Sequence, residues 1–149
     1  MKPALIFYPW KKIRKDLIGL VDLFSEDELS YQPYEGSWTV GDIFLHIAEV
    51  EDFWIHSVVR KELPANVHYD LTIYPSARAI KSKLAVSHER TTLFLDTLKE
   101  PDLDWRFKTP EGGSMALYEI LWHVLEHELH HRGEISLALG LLGKNGLDV

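Results

Sequence analysis

Leu121-Trp122-His123-Val124-Leu125-Glu126-His127-Glu128-Leu129-His130-His131-Arg132-Gly133-Glu134-Ile135 is the stretch on which the reading of this chain turns. Four of the chain's eight histidines fall in it. In a helix each residue advances by about 100°, so residues four apart lie within about 40° of one another. His123, His127 and His131 therefore form a ladder on one helix. With His123 set at zero, the apolar stripe of Leu117, Ile120, Val124, Ile135 and Leu142 centres near roughly 100°, with His127 near about 40° and His131 near about 80°. Those two point inward. His130, near about −20°, and His123 lie toward the flank or the solvent.

Two imidazoles at i, i+4 can reach one metal ion, and a third ligand is then expected from a facing helix. His46 is the candidate. It sits on the edge of the stripe Ile43, Ile47, Val50 and Trp54 in an earlier amphipathic segment. His56, His68 and His88 have no comparable spacing and are expected to be surface or capping residues. Three buried imidazoles without an ion would each need a hydrogen-bond partner, because an unsatisfied buried polar group costs about 1 to 3 kcal/mol. One divalent ion satisfies all three, and three neutral nitrogen ligands leave a coordination position open for water or substrate, the arrangement of a catalytic site.

Outward from this core, apolar residues recur at helical spacing in four stretches. The first is expected from Pro9 to Phe24, with a possible short turn at Ser25 to Glu28. The second runs from a Thr39 cap to Arg60, the third from Ser76 to Lys99, and the fourth from a Ser114 cap to Gly143. The connections Lys61 to Pro75 and Glu100 to Gly113 are long enough to join helices that are not antiparallel neighbours. Trp105-Arg106-Phe107 alternates as a short strand would. The expected fold is an all-α four-helix bundle with long crossover connections, forming one domain over residues 1–149.

Composition narrows the function. At 149 residues, 46% apolar and 26% charged, the chain reads as an ordinary globular domain. A net charge of −7 argues against nucleic acid as a partner, and Lys11-Lys12-Ile13-Arg14-Lys15 reads as the solvated face of the first helix. No stretch is apolar for long enough to span a membrane. The chain has no cysteine, which removes disulfides, thiolate ligands and a protein thiol nucleophile. With no export signal, a cytoplasmic location is expected. Glu49 and Glu128 are candidates for orienting the imidazoles or for facing solvent. Trp38, Trp54, Trp122 and Tyr118 lie near the ligands in sequence, as pocket or as core.

The histidine-rich stretch resembles the signature helix of the DinB/YfiT-like superfamily of metalloenzymes. Trp38-Thr39-Val40-Gly41-Asp42-Ile43-Phe44-Leu45-His46-Ile47-Ala48-Glu49 resembles that family's second-helix motif. The resemblance covers essentially the whole chain. It implies a four-helix bundle with one divalent metal ion, zinc or nickel, on His46, His127 and His131. It also implies a homodimer, and an activity on a small-molecule substrate by metal-dependent transfer of a low-molecular-weight thiol (bacillithiol, mycothiol or glutathione) or by hydrolysis. A non-catalytic metal-binding or dimerisation module in a stress response is the alternative. Glu134 stands where many members have Gln, which adds a charge near the site. Glu134 and His123 join Glu49 and Glu128 as candidates for the shell around the ligands.

Overall fold

The computed structural model describes residues 1–148. A single helical turn, α1 (Pro3–Ile6), precedes α2 (Tyr8–Val21). The remaining helices are α3 (Val40–Glu51), α4 (Ala77–Thr97) and α5 (Leu117–Leu141). α3 continues without a break into wider π-helical turns over Asp52–Val59. The four-helix bundle expected from periodicity is the observed fold.

Local chemistry sets the boundaries. Thr39 Oγ1 accepts from Asp42 N at 3.1 Å and Ser76 Oγ from Ala79 N at 3.1 Å, so each hydroxyl satisfies an amide that has no partner within its helix. The turn after α2 is a 3₁₀ turn at Asp27–Ser30, where Ser25 and Glu28 bond each other's backbone amides. Ser114 is not the cap of the last helix. It lies in β2 (Ser114–Ala116), which pairs antiparallel with β1 (Arg106–Lys108), and its Oγ accepts from Arg106 Nε at 2.8 Å. The hairpin takes up the residues that the cap reading assigned to the helix entry. Helix α5 begins three residues later, and Glu119 Oε2 accepts from Ala116 N at 2.6 Å. Past its other end, Gly143 adopts φ +76°, the left-handed conformation that terminates a helix.

The apolar core is in two parts. One holds Leu17, Leu20, Ile43, Phe44, Ile80, Leu84, Ile135 and Leu139, the other Phe7, Trp10, Ile55, Leu95, Leu117, Ile120 and Leu121. Each of α2, α4, α5 and α3 with its π-helical continuation crosses from one part to the other, and the order of crossing gives its direction. α2 and α5 run one way, α3 and α4 the opposite way. α3 packs on α4 and α5, and α2 on α4 and α5. The parallel neighbours α3 and α4 therefore need a connection that travels back along the bundle, which is residues 61–75. Leu71 N donates to Asp42 Oδ1 at 2.9 Å near the start of α3. There, a Cβ on Gly41 would lie 2.5 Å from Leu71 Cδ2, so the loop packs where a larger residue would push it away.

Between the two apolar parts α2, α3 with its π-helical continuation, α4 and α5 contribute polar residues. Arg14, Glu51, Asp52, His56, Ser87, His88, Thr91 and Glu128 are buried there. This layer corrects three expectations. Arg14 is 2% exposed and not on a solvated face, because it shares a helical stripe with Trp10, Leu17 and Val21. His56 is fully buried, with Nε2 3.1 Å from Thr91 Oγ1. His88 is buried, with Nδ1 3.0 Å from Glu51 Oε1. Only His68 of the three is exposed, as expected.

Candidate metal centre

α3 and α5 face each other, and this brings His46 against the His127–His131 pair. The ring centroids lie 4.7 Å apart for His46 and His127, 5.1 Å for His46 and His131, and 4.3 Å for His127 and His131. One ligating atom from each residue falls within 4.8 Å of the other two. His46 Nε2 and His127 Nε2 are 3.0 Å apart. Nitrogen ligands at about 2.0 to 2.1 Å from a tetrahedral ion stand roughly 3.3 Å from one another, so this convergence fits a single divalent cation.

Electrostatics keep the rings neutral. Burial pushes the imidazoles of His46, His127 and His131 below their ordinary range. His127, also beside His131 and His46, goes down to about 3. Neutral imidazoles present lone pairs, as metal ligation requires. They do not satisfy one another, however. His127 Nδ1 is buried without a partner, and neither tautomer of that ring can pair both of its nitrogens.

Two carboxylates stand on the outer edges of the rings. Glu49 Oε1 lies 3.5 Å from His46 Nδ1, and Glu134 Oε2 lies 3.3 Å from His131 Nδ1. A carboxylate at Nδ1 favours the tautomer that leaves Nε2 free to ligate, and it fixes the ring's direction. The other two residues expected in this shell are placed elsewhere. Glu128 is fully buried but turned away, accepting from Trp10 Nε1 at 2.6 Å and from Arg14 Nε at 2.9 Å. His123 stacks edge-on against Trp54, with centroids 5.4 Å apart.

Two hollows flank the triad. One, of about 390 Å³, lies between residues 33–38 and the end of α5, lined by Tyr34, Trp38, Ile43, His131, Glu134 and Leu137 among others. The second, of about 240 Å³, is lined by Trp38, Asp42, His46, Glu49, His68, Tyr69 and Asp70. Trp38 belongs to both, with its ring 4.5 Å from that of His46 and 6.2 Å from that of His131. Of the four aromatics flagged in the sequence only Trp38 lines these hollows; Trp122 packs on Phe7 and Trp54 on Phe53.

The residues that sequence reasoning missed belong to the crossover. His68 Nδ1 lies 3.0 Å from Glu49 Oε2 and its Nε2 3.1 Å from Asp70 Oδ2. Its pKa is raised by the hydrogen bond to Asp70 and by the charge of Glu49. Tyr69 N donates to Glu49 Oε2 at 2.7 Å, and Tyr69 OH to Asp52 Oδ2 at 2.7 Å. Loop length was the only signal for this segment.

The sequence model of the DinB superfamily matches residues 10–135, and the chain belongs to that superfamily. Solved structures share the fold. A DinB-like protein from Bacillus cereus superposes with a TM-score of 0.76 at 18% identity, over 96% of this chain and 94% of that one. YfiT from Bacillus subtilis, described as a probable metal-dependent hydrolase with an unusual four-helix bundle topology, gives 0.73 at 20% identity, over 97% and 87%. A mycothiol-dependent maleylpyruvate isomerase gives 0.63 at 15% identity, over 93% and 66%. No curated protein matches the chain in sequence.

Proposed function

We propose that this chain is a metal-dependent enzyme that acts on a small molecule, as a thiol-dependent transferase or a hydrolase, through one divalent ion, zinc or nickel, held by His46, His127 and His131. The observation that carries this reading is the convergence of three neutral imidazoles from two helices on one point, with carboxylates behind His46 and His131. The description of YfiT as a probable metal-dependent hydrolase and the mycothiol dependence of the isomerase support the two branches of the reading. A divalent ion there supplies Lewis acidity, enough to acidify a water or a thiol presented at neutral pH.

The chain's own residues do the rest. Glu49 and Glu134 hold the imidazole protons at Nδ1. Trp38 covers one side of the triad and restricts water. His68, held between Glu49 and Asp70, offers a proton at the mouth of the smaller hollow. Because the chain has no cysteine, any thiol nucleophile comes from a co-substrate. We further propose a homodimer at work in the cytoplasm. No helix among the described residues is long and apolar enough to cross a membrane.

The test is turnover by protein loaded with zinc or nickel, with electrophilic substrates and each of several small thiols, and with activated esters and amides without thiol. Thiol-dependent consumption of an electrophile establishes the transferase, and thiol-independent hydrolysis the hydrolase. Tight binding of a thiol without turnover of any substrate would overturn the enzymatic reading and leave a binding module.

A further inference from the structure

The larger hollow grades from polar to apolar along α5. His131, Glu134, Leu137 and Leu141 recur at steps of three or four residues, which keeps them on one side of that helix, and Tyr34 and Trp38 complete the lining from the segment before α3. At its inner end stands the triad: His131 lines the hollow, and the Trp38 ring is stacked at 6.2 Å from it. Farther along, the walls are hydrocarbon. Tyr34, Trp38, Leu137 and Leu141 are each more than half exposed. Large apolar side chains exposed singly are ordinary, but four of them around one concavity mark a surface meant to be covered. At about 390 Å³ that concavity is within the range of small-molecule sites, roughly 300 to 1,000 Å³.

The polar side chains along these walls are already in use. Glu134 Oε1 lies 3.0 Å from His130 Nε2 and its Oε2 3.3 Å from His131 Nδ1, and Ser37 Oγ donates to Trp38 O at 3.0 Å. The Tyr34 hydroxyl and the Trp38 indole N–H belong to residues exposed enough for water to serve them. A ligand carrying hydroxyls or charges along its body would exchange its hydration for at most those two side-chain groups, at a net loss. Hydrocarbon would gain by covering the walls. A polar atom is served only at the inner end, where the triad holds its ion. We infer that the larger hollow takes the apolar body, alkyl or aryl, of a compact substrate whose polar reacting end is presented to the triad, and that polyhydroxylated or multiply charged bodies are poor occupants. This inference rests on the reading of the triad as the metal centre, and it names the substrate class of that centre.

The experiment is calorimetric titration of the zinc-loaded protein with three probes that share one metal-binding head: acetohydroxamate, hexanohydroxamate and gluconohydroxamate, the last two equal in chain length. Hexanohydroxamate should bind about 10- to 30-fold more tightly than acetohydroxamate, as four methylenes half removed from water imply. Gluconohydroxamate should bind no more tightly than acetohydroxamate. The double variant Leu137→Gln with Leu141→Gln changes two exposed positions and keeps good helix formers in α5. In it the advantage of the hexanoyl chain should fall to about threefold or less, with zinc content and acetohydroxamate affinity unchanged. Gluconohydroxamate binding as tight as hexanohydroxamate binding, or a hexanoyl advantage that survives the double variant, would overturn the inference. So would a hollow covered by a second copy of the chain, seen as no hexanoyl advantage in the wild type together with a shift from dimer to monomer when the double variant is sedimented. Elemental analysis of the same samples separates the two readings. Zinc-loaded protein that binds acetohydroxamate without favouring the longer apolar chain refutes the substrate class and keeps the metal centre, whereas protein that takes up no zinc refutes the metal centre and the inference with it.

Discussion

The molecule holds two polar clusters built on different principles, one buried between the two apolar cores and one, less buried, between α3 and α5. Around α2, Arg14 stands between two carboxylates: its Nη2 lies 2.7 Å from Glu51 Oε2 and 2.8 Å from Glu128 Oε2, and its Nη1 donates to Leu84 O at 2.8 Å. Opposite charges answer each other there. Burial alone would lower the Arg14 pKa and raise that of Glu51. The attraction reverses both, so Arg14 is held firmly protonated and Glu51 goes down to about 2. Between α3 and α5, by contrast, three groups of one kind converge with no counter-group at their centre. In the first cluster each buried charge meets an opposite charge within the chain, although Asp52 Oδ1 and His88 Nε2 have no hydrogen-bond partner. The second is complementary to something the chain does not contain, and a divalent cation is what its donor set fits.

That contrast can be broken by substitution. Arg14→Met should give the largest effect, a loss of about 3 to 5 kcal/mol in unfolding free energy by chemical denaturation, because it leaves two carboxylates buried together without a cation. Replacing Glu51 and Glu128 as well, with apolar residues of similar volume, should restore most of that loss. The triad should behave in the opposite way. Excess zinc, at about a thousand times its dissociation constant, should stabilise the wild type by about 4 kcal/mol, and His127→Ala should abolish that gain while changing the metal-free protein far less. Glu49→Gln should retain the fold and weaken metal affinity by about 10- to 100-fold in a competition titration, since it removes the charge behind His46.

Acidity sharpens the same comparison. The Glu51 carboxyl has a folded pKa below its ordinary 4.5, so its contribution to stability is present above pH 4.5 and is lost as the pH falls toward about 2. Denaturation of the metal-free protein followed between pH 6 and pH 2 should show stability falling in that window, and Glu51→Gln should flatten the fall.

The sequence made the apolar half of each helix and the triad readable for one reason: both repeat at helical spacing. The tandem His127 and His131, together with His46 on an apolar edge, meet where periodicity puts them. Arg14, Glu51 and Glu128 obey the same spacing, on the stripes Trp10–Arg14–Leu17, Ile47–Glu51–Ile55 and Leu121–Leu125–Glu128. Each alone looks like a charge at a helix flank, and only their meeting from three helices makes burial tolerable. His56 and His88 were misplaced because their partners, Thr91 and Glu51, are distant in sequence. The Ser114 cap gave way to a hairpin: alternation at Trp105-Arg106-Phe107 announced its first strand, Arg106–Lys108, whereas the second, Ser114–Ala116, carries no such pattern. His68, Tyr69 and Asp70 reach the site through tertiary contacts that no local pattern encodes.

The central claim is that the three-imidazole convergence is a cation site. It is tested most directly by elemental analysis, with X-ray absorption at the metal edge, of protein purified without a histidine tag and dialysed free of loosely held ions. One divalent ion per chain, with nitrogen scatterers at about 2.0 to 2.1 Å and its loss in each of His46→Ala, His127→Ala and His131→Ala, is the predicted result. Full occupancy that survives His127→Ala, or a wild-type protein that takes up no ion when zinc or nickel is supplied, would contradict it.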